Sequence, residues 1–565
     1  MTKFTKIRSL LAILLLACML ISVFALASCD LFGKNTTTKK KKPTTNPNAI
    51  VDPIDDNYRT LYQIYVRSFA DSDGDGIGDI RGIIETFDYL NDGDISSGTD
   101  LGVQAIWLTP IFDGNSGHNY DAIDFYSIDP EFGKMEDFVE LVKLCDKRNV
   151  KLILDLALNH TSTICEWFRE SKDAHINGNT SNKYYNYYNW SYRSNSQEEV
   201  PAGYVNVKDT NWYYESRFDT ADGSMPDLNY GYMDDKAKTY TPNAVAKEML
   251  NVAKYWMDLG VDGFRFDAVK YIYYENHVKS SAFYNWYTGE LRKKNPDIYL
   301  IGECWDDETD ILQYYSSMNC FNFPMVDNGT IASVAMNNSS IKGFTSGIQN
   351  FQSSILKKNS NGMLSCFLSN HDMDRSAGYI NYDNARKMAA SLYLLTPGTP
   401  VIYYGEEIGL LGSGDSPEDA NRRLPMKWED VYDCRYPQEA TYKKDWYAPD
   451  KNTVFDQEDN ENSLLNHYVN VLKIRHSYPA IARGTYKSID GGKSYFGGFY
   501  VTYNNESMII LHNTSPNKTV TVNLKTFSLL SGYSRFELLE FVGVNDATIE
   551  GTTLTLGPQT TVILQ

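Results

Sequence analysis

Residues 241–270 run TPNAVAKEMLNVAKYWMDLGVDGFRFDAVK, and two hydrophobic periods follow one another within them. Val245, Met249, Val252, Trp256 and Leu259 recur at three- and four-residue spacing, which is the apolar stripe of a helix. Thr241 can cap that helix, Pro242 suits its first position, and Gly260 ends it. The β-rich run Gly263–Val269 follows at once. A helix that feeds directly into a short apolar strand is half of a βα unit, so the stripe is expected to pack on a sheet rather than to do chemistry.

The same alternation extends outward in both directions. Strands are predicted at Leu61–Phe69, Ala105–Thr109, Leu152–Ala157, Gly263–Val269, Tyr299–Cys304, Phe321–Met325, Leu364–Leu368 and Val401–Tyr404, with helical patterns between them. Eight such strands imply an α/β fold, a (β/α)8 TIM barrel over residues 57–484, whose active site gathers at the C-terminal strand ends. The Tyr- and Asn-rich stretch of about 161–228, after the third strand, does not fit one crossover helix and is expected to be an inserted domain. A last helical stretch near Leu464–Arg475 gives way to strand-like alternation, as in Phe499–Thr502 and Thr553–Leu556. Residues 485–565 are therefore expected to form a C-terminal antiparallel β-sandwich domain.

The first residues look like an address. Lys3, Lys6 and Arg8 precede an apolar run from Leu10 to Ala27, as in a signal peptide. The run closes in Leu26-Ala27-Ser28-Cys29, which resembles a bacterial lipobox. That resemblance implies that residues 1–28 are removed and that Cys29 is lipidated, leaving an exported protein anchored to the outer face of the cell membrane. Residues 29–56, rich in Thr, Lys, Asn and Pro, form a solvated tether, and Lys39–Lys42 can rest on anionic headgroups or simply act as spacer.

With 72 acidic against 53 basic residues, the chain carries a net charge of −19. A field of that sign excludes nucleic acid as the expected partner and favours a neutral substrate or a cation. Cys145, Cys165, Cys304, Cys320, Cys366 and Cys434 are scattered without metal-ligand spacing, and are expected to be small buried hydrophobes. Oligomeric state is not legible.

Four acids fall at strand ends: Asp155, Asp267, Glu303 and Asp372. Arg265 and Asp267, two apart on a strand, point to one side, so the guanidinium is expected to favour the ionised form of Asp267. Glu303, near other carboxylates, is expected to resist ionisation and hold a proton. An ionised and a protonated carboxyl about 5–5.5 Å apart are what a retaining glycosidase needs.

At these residues the chain resembles the α-amylase family of glycoside hydrolases, over nearly its whole length after the signal. The family's motifs match Asp155–His160, Gly263–Lys270, Gly302-Glu303-Cys304-Trp305 and Phe367–Asp372, in order. The resemblance implies a retaining hydrolase with Asp267 as nucleophile, Glu303 as acid/base and Asp372 gripping sugar hydroxyls. It further implies sugar contacts from His118, Tyr120, His160, Arg265, Lys270 and His371, an inserted domain B and a C-terminal domain C. Tyr184, Tyr185, Tyr187, Tyr188 and Trp190 are either sugar platforms or packing of the small domain.

Met225–Asn229 resembles the family's fifth motif in a wording between the oligo-1,6-glucosidase and neopullulanase versions, like that of an intermediate group containing exported bacterial α-amylases. Ala268 and Lys270 resemble members that cut α-1,4 bonds in starch and malto-oligosaccharides, whereas Tyr271 stands where such members often carry His. Arg423-Leu-Pro425-Met426-Lys-Trp428 resembles the oligoglucosidase side. An α-glucosidase or oligo-1,6-glucosidase, a cyclodextrin hydrolase, a transglycosylase and an inactive glucan-binding protein are the alternatives.

Asp71, Asp73, Asp75 and Asp79 stand at positions 1, 3, 5 and 9 of a loop with Gly76 at position 6. With the carbonyl of Ile77, this is the front of a calcium loop. Position 12 is Gly82, so it is no EF-hand; it is similar to the loop that holds structural Ca2+ after the first strand in oligoglucosidase-like members. Remote from the acids along the chain, its cation is expected to act on stability more than on chemistry.

Overall fold

In a computed structural model, the described residues are 59–94, 97–195, 197–234, 239–412, 419–429, 432–437, 440 and 453–565. The signal segment, Cys29 and the tether lie outside them. Among the described residues, no helix is long and apolar enough to cross a membrane.

One sheet carries eight strands, and every neighbouring pair is parallel: β1 (Leu61–Ile64), β2 (Ala105–Leu108), β3 (Lys151–Leu156), β4 (Gly263–Phe266), β5 (Tyr299–Gly302), β6 (Asn319–Phe321), β7 (Leu364–Ser365) and β8 (Val401–Tyr403). They follow chain order, with β8 beside β1. Between β8 and β7 the Val401 N–H donates to Cys366 O at 2.9 Å, and Thr399 N–H donates to Leu364 O at 2.7 Å. These two bonds all but close the barrel.

Strand periodicity fixes what the barrel holds. Leu61, Trp107, Ile153, Tyr299, Ile301, Phe321 and Val401 point inward and pack together. Tyr62, Ile106, Leu154, Phe264, Phe266 and Leu300 point outward into the larger core shared with the helices. Two residues further along the inward face, Ile153 is followed by Asp155, Gly263 by Arg265 and Asp267, and Ile301 by Glu303. One interior therefore has an apolar N-terminal layer and a charged C-terminal one.

Helices cover the outside: α1 (Met135–Arg148), α2 (Ala244–Asp258), α3 (His277–Lys294), α4 (Glu308–Tyr314), α5 (Ile341–Lys358), α6 (Asp383–Leu394) and α7 (Leu464–Ser477). In α2 the stripe buries Val245, Met249, Val252 and Trp256, and Trp256 Nε1 donates to Phe125 O at 2.8 Å. The cap differs from expectation. Asn243, not Thr241, accepts from Ala246 N, so the helix starts two residues after Pro242. Gly260 ends it at φ 107°, where a Cβ would come within 2.6 Å of Val142.

Several strands are shorter than expected because their C-terminal ends must turn. After β1 comes a 3-10 turn at Val66–Ser68, and after β4 Ala268 adopts a left-handed conformation (φ 38°) before a turn at Val269–Tyr271. The sixth strand is shifted to Asn319–Phe321, since Phe323 already begins a helix with Pro324 in its first turn.

Between β3 and α2 lie a helix, Glu166–Asn177, and a three-stranded antiparallel sheet of Trp190–Tyr192, Trp212–Glu215 and Tyr204–Asn206. Tyr187 and Tyr188 are buried, Trp190 stacks on Phe168, and Tyr185 stacks on His175. These rings pack the small domain. C-terminal to α7, a five-stranded and a three-stranded antiparallel sheet enclose Phe496, Leu511, Val520, Leu554 and Val562. Gln349 and Gln352 of α5 accept from Ser488 N and Tyr486 N of that domain's first strand. All six cysteines of the described chain are free and buried.

Arg475 of α7 is wholly buried and donates to the carbonyls of Arg59, Leu394, Thr396 and Gly398. Its loss strands those acceptors in an apolar setting. We expect Arg475→Ala to cost about 3 kcal/mol or more, read as a lowered thermal midpoint; an unchanged midpoint would show that this end of the barrel does not need the residue.

Candidate active site

The C-terminal mouth opens into a cleft of about 560 Å³, lined by His118, Tyr120, Asp267, Lys270, Glu303 and Asp372 among others. At its floor sits Arg265, whose side chain is only 1% exposed. Its Nη1 donates to Asp155 Oδ1 at 2.7 Å and to Asp267 Oδ1 at 2.8 Å, and its Nη2 lies 2.9 Å from Glu303 Oε2. The cation also lies over the Trp107 ring at 5.1 Å. Backbone geometry fixes the carboxylates as well. Ala268 N–H donates to Glu303 Oε2 at 3.0 Å, and Val269 N–H to Glu303 O.

Burial and charge then sort the protons. Burial raises Glu303 to about 7; Arg265 opposes the rise, and Asp267 and Asp372 add to it. Burial likewise lifts Asp267 to about 6 against the pull of Arg265, and lifts Asp155 to about 6. Arg265 does favour the ionised form of Asp267, but desolvation outweighs it. The order survives, since Glu303 keeps its proton to higher pH than Asp267. Asp372 goes the other way. Burial would raise it, but His371 and Arg423 hold it at about 2. Asp267 Oδ2 is buried and has no hydrogen-bond partner.

The histidines are neutral hydrogen-bonding groups. Burial lowers His118 and His160 to about 4 and His371 to about 3. Gln63 Nε2 meets His371 Nδ1 at 2.8 Å, which leaves the ring's Nε2–H facing Tyr120 OH at 2.6 Å and Asp372 Oδ2 at 3.1 Å. Tyr120 OH passes its own proton on to Asp155 Oδ2 at 2.8 Å, and its ring stacks on His371. His160 is fully buried with no partner on either nitrogen, its ring 5.0 Å from Phe218. Lys270 Nζ donates to Trp305 O at 3.0 Å and to Asp306 Oδ2 at 3.2 Å. All nine expected catalytic and sugar-contact residues thus meet at one mouth.

Arg423, Phe218, Tyr271, Trp305 and Asp419 also line the wall and carry no expected role. Arg423 Nη2 donates to Asp372 Oδ1 at 2.6 Å and its Nε to His371 O. Phe218, Tyr271 and Trp305 add aromatic surface, with Trp305 stacked on Phe323. Arg423 stands in a quoted motif and Trp305 follows Glu303 by two, which were available signals. Phe218 lies in an irregular loop and had none.

The acidic loop folds on itself after β1. Carboxylate oxygens of Asp71, Asp73 and Asp79 lie within 4.8 Å of one another, while Asp75 stands outside that group and caps Ile77 N. Asp71 accepts from Asp73, Gly74 and Gly76 N–H, and Asp79 from Ser72 and Gly82 N–H. Three converging carboxylates on a tight glycine turn fit a hard divalent cation. The loop is not isolated from the cleft. Asp71 N–H donates to Tyr432 O and Arg435 N–H to Gly76 O, in a segment a few residues beyond Arg423.

Comparison with known proteins agrees with this arrangement. Residues 63–484 match the family profile described as "Alpha amylase, catalytic domain". "Alpha-amylase 3" of Dictyoglomus thermophilum is 33% identical, over 89% of this chain and 92% of the relative. "Trehalose synthase/amylase TreS" of Mycolicibacterium smegmatis is 30% identical, over 78% of this chain and 79% of the relative. Among solved structures, Eubacterium rectale Amy13B superposes with a TM-score of 0.79 at 32% identity, covering 93% of this chain and 99% of that one.

Proposed function

Because the chain belongs to the alpha-amylase family and is a glycoside hydrolase, we propose that it is a retaining α-amylase that cuts α-1,4 bonds in starch and malto-oligosaccharides. One observation carries this: a single guanidinium bridges Asp267 and Glu303, one with a free oxygen and the other with the higher pKa. Carboxyls that share one guanidinium belong with the short spacing of retaining enzymes, about 5–5.5 Å, rather than with the wider spacing of inverting ones.

In this mechanism Asp267 Oδ2 attacks the anomeric carbon while Oδ1 stays on Arg265. Glu303 gives its proton to the departing glycosidic oxygen, leaving a covalent glycosyl–enzyme. Glu303, now ionised, takes a proton from water as that water attacks the same carbon from the face the leaving group left. The carbon–Oδ2 bond breaks and releases Asp267 as carboxylate, so two inversions retain the configuration. Asp372, His118, His160 and His371 hold the sugar hydroxyls, and the Tyr120 face meets the ring. Lys270 contacts the sugar beyond the cleavage point. The similarity to a trehalose synthase/amylase and the Arg423–Trp428 motif support a second reading, in which a sugar replaces water as acceptor.

Asp71, Asp73 and Asp79 would hold a structural Ca2+, whose part is to neutralise the loop's charge; no catalytic step passes through it. The apolar N-terminus and Cys29 support an exported, lipid-anchored enzyme, whose polymer substrate lies outside the cell.

We expect Asp267→Asn and Glu303→Gln to lose about 10³-fold or more of activity on starch, with Glu303→Gln losing far less on an aryl glycoside whose leaving group needs no proton. NMR of the first product should show the α-anomer; the β-anomer would overturn retention. The pH profile of kcat/KM should be bell-shaped. Activity falls as pH drops through about 6, where Asp267 takes up a proton, and falls again as pH rises through about 7, where Glu303 loses its own. For the acidic loop, chelator should lower the thermal midpoint and added Ca2+ restore it; a midpoint indifferent to both would count against an occupied site.

A further inference from the structure

Behind the wall of the cleft, three side chains from two segments meet without making good hydrogen bonds to one another. His277 is the first residue of α3, Asp306 follows β5, and Asp310 lies in the first turn of α4. His277 Nε2 stands 3.5 Å from Asp306 Oδ2 and 3.7 Å from Asp310 Oδ2, and the three atoms lie within 4.8 Å of one another. Those spacings are long for N–H···O bonds. The shorter falls on the edge of a coordination tetrahedron, since ligands about 2.0–2.2 Å from a divalent ion lie about 3.3–3.6 Å apart, and the longer stands just beyond it.

The far side of each ligand is already fixed. His277 Nδ1 meets Tyr314 OH at 3.1 Å, Asp306 Oδ1 accepts from Asp307 N at 3.1 Å, and Asp310 Oδ1 accepts from Gln313 Nε2 at 2.8 Å. An imidazole oriented through its other nitrogen, and carboxylates oriented through their other oxygens, are what the surroundings of a metal ligand supply. The side chains are 13%, 31% and 30% exposed, so an ion can enter and keep a water in its remaining position.

We propose that His277, Asp306 and Asp310 form a second cation site, distinct from the acidic loop, for a Zn2+-class transition metal rather than calcium. The imidazole selects the class, since Ca2+ takes six to eight oxygens at about 2.3–2.6 Å and this cluster offers two carboxylates and a nitrogen. The site adjoins the cleft: Asp306 Oδ2 is also the oxygen that Lys270 Nζ reaches at 3.2 Å.

Titration calorimetry of the full chain with ZnCl2, in saturating Ca2+ so that the acidic loop does not compete, tests the site. One Zn2+ per chain is expected, weakened at least tenfold in His277→Ala and in Asp310→Asn, with Co2+ giving the visible absorption of a tetrahedral site. Neither substituted residue lines the cleft. Should one variant fail to fold, the other decides. No stoichiometric Zn2+ binding by the parent protein, or unchanged affinity in the folded variants, overturns the proposal.

Discussion

A guanidinium buried inside a barrel has to be surrounded by anions, and Arg265 sets the chemistry of the whole mouth for that reason. Its removal from water costs several kcal/mol unless the charge is matched. Three carboxylates within 2.9 Å match it more than fully. One positive charge cannot hold three negative ones in a dry pocket, so the excess is relieved by protonation. Burial lifts all three acids, and Glu303 ends highest, at about 7. Two carboxyls slow to ionise, Glu303 above Asp267, thus follow from burial around one cation. Asp372 escapes the same fate because His371 and Arg423 hold it down from its own side.

The strand pattern made much of this legible before any coordinates. Alternation at period two places Arg265 and Asp267 on one face, and the apolar residues before Asp155 and Glu303 mark where the interior turns from packed to charged. Strand ends were less legible, because Phe and Val keep a high strand propensity past the point where the chain bends. Nothing in the composition of Ala268 announces a left-handed backbone; the turn that brings its N–H to Glu303 Oε2 imposes it. Pro324 and Asn243 did carry local signals, and there helix-start chemistry overrides the apolar run and the earlier Thr cap.

Loops were the opaque part. Phe218 reaches the cleft from a segment with no period, and its neighbour His160 is known to be adjacent only once the inserted domain returns through the His160–Asp227 bridge. The acidic loop follows β1 and its sequence looks remote from Asp372, yet backbone bonds at Asp71 and Gly76 tie it to the segment after β8 that carries Arg423. A cation in that loop would therefore steady one wall of the cleft as well as its own turn.

Asp267 Oδ2, Asn159 Oδ1 and both ring nitrogens of His160 are buried around one mouth without a protein partner. Each such atom costs about 1–3 kcal/mol when desolvated and unpaired, so a chain selected for stability alone would have filled the mouth with apolar side chains, as it did one layer down at Ile153 and Ile301. Below that layer, Arg475 and its four carbonyls tie α7 to the segments that lead into β1 and β8. In the proposed mechanism a sugar ring would offer these orphaned groups the hydroxyls they lack and an electrophilic carbon for the free carboxylate oxygen, so the atoms that cost the fold stability would be the ones that recognise the substrate.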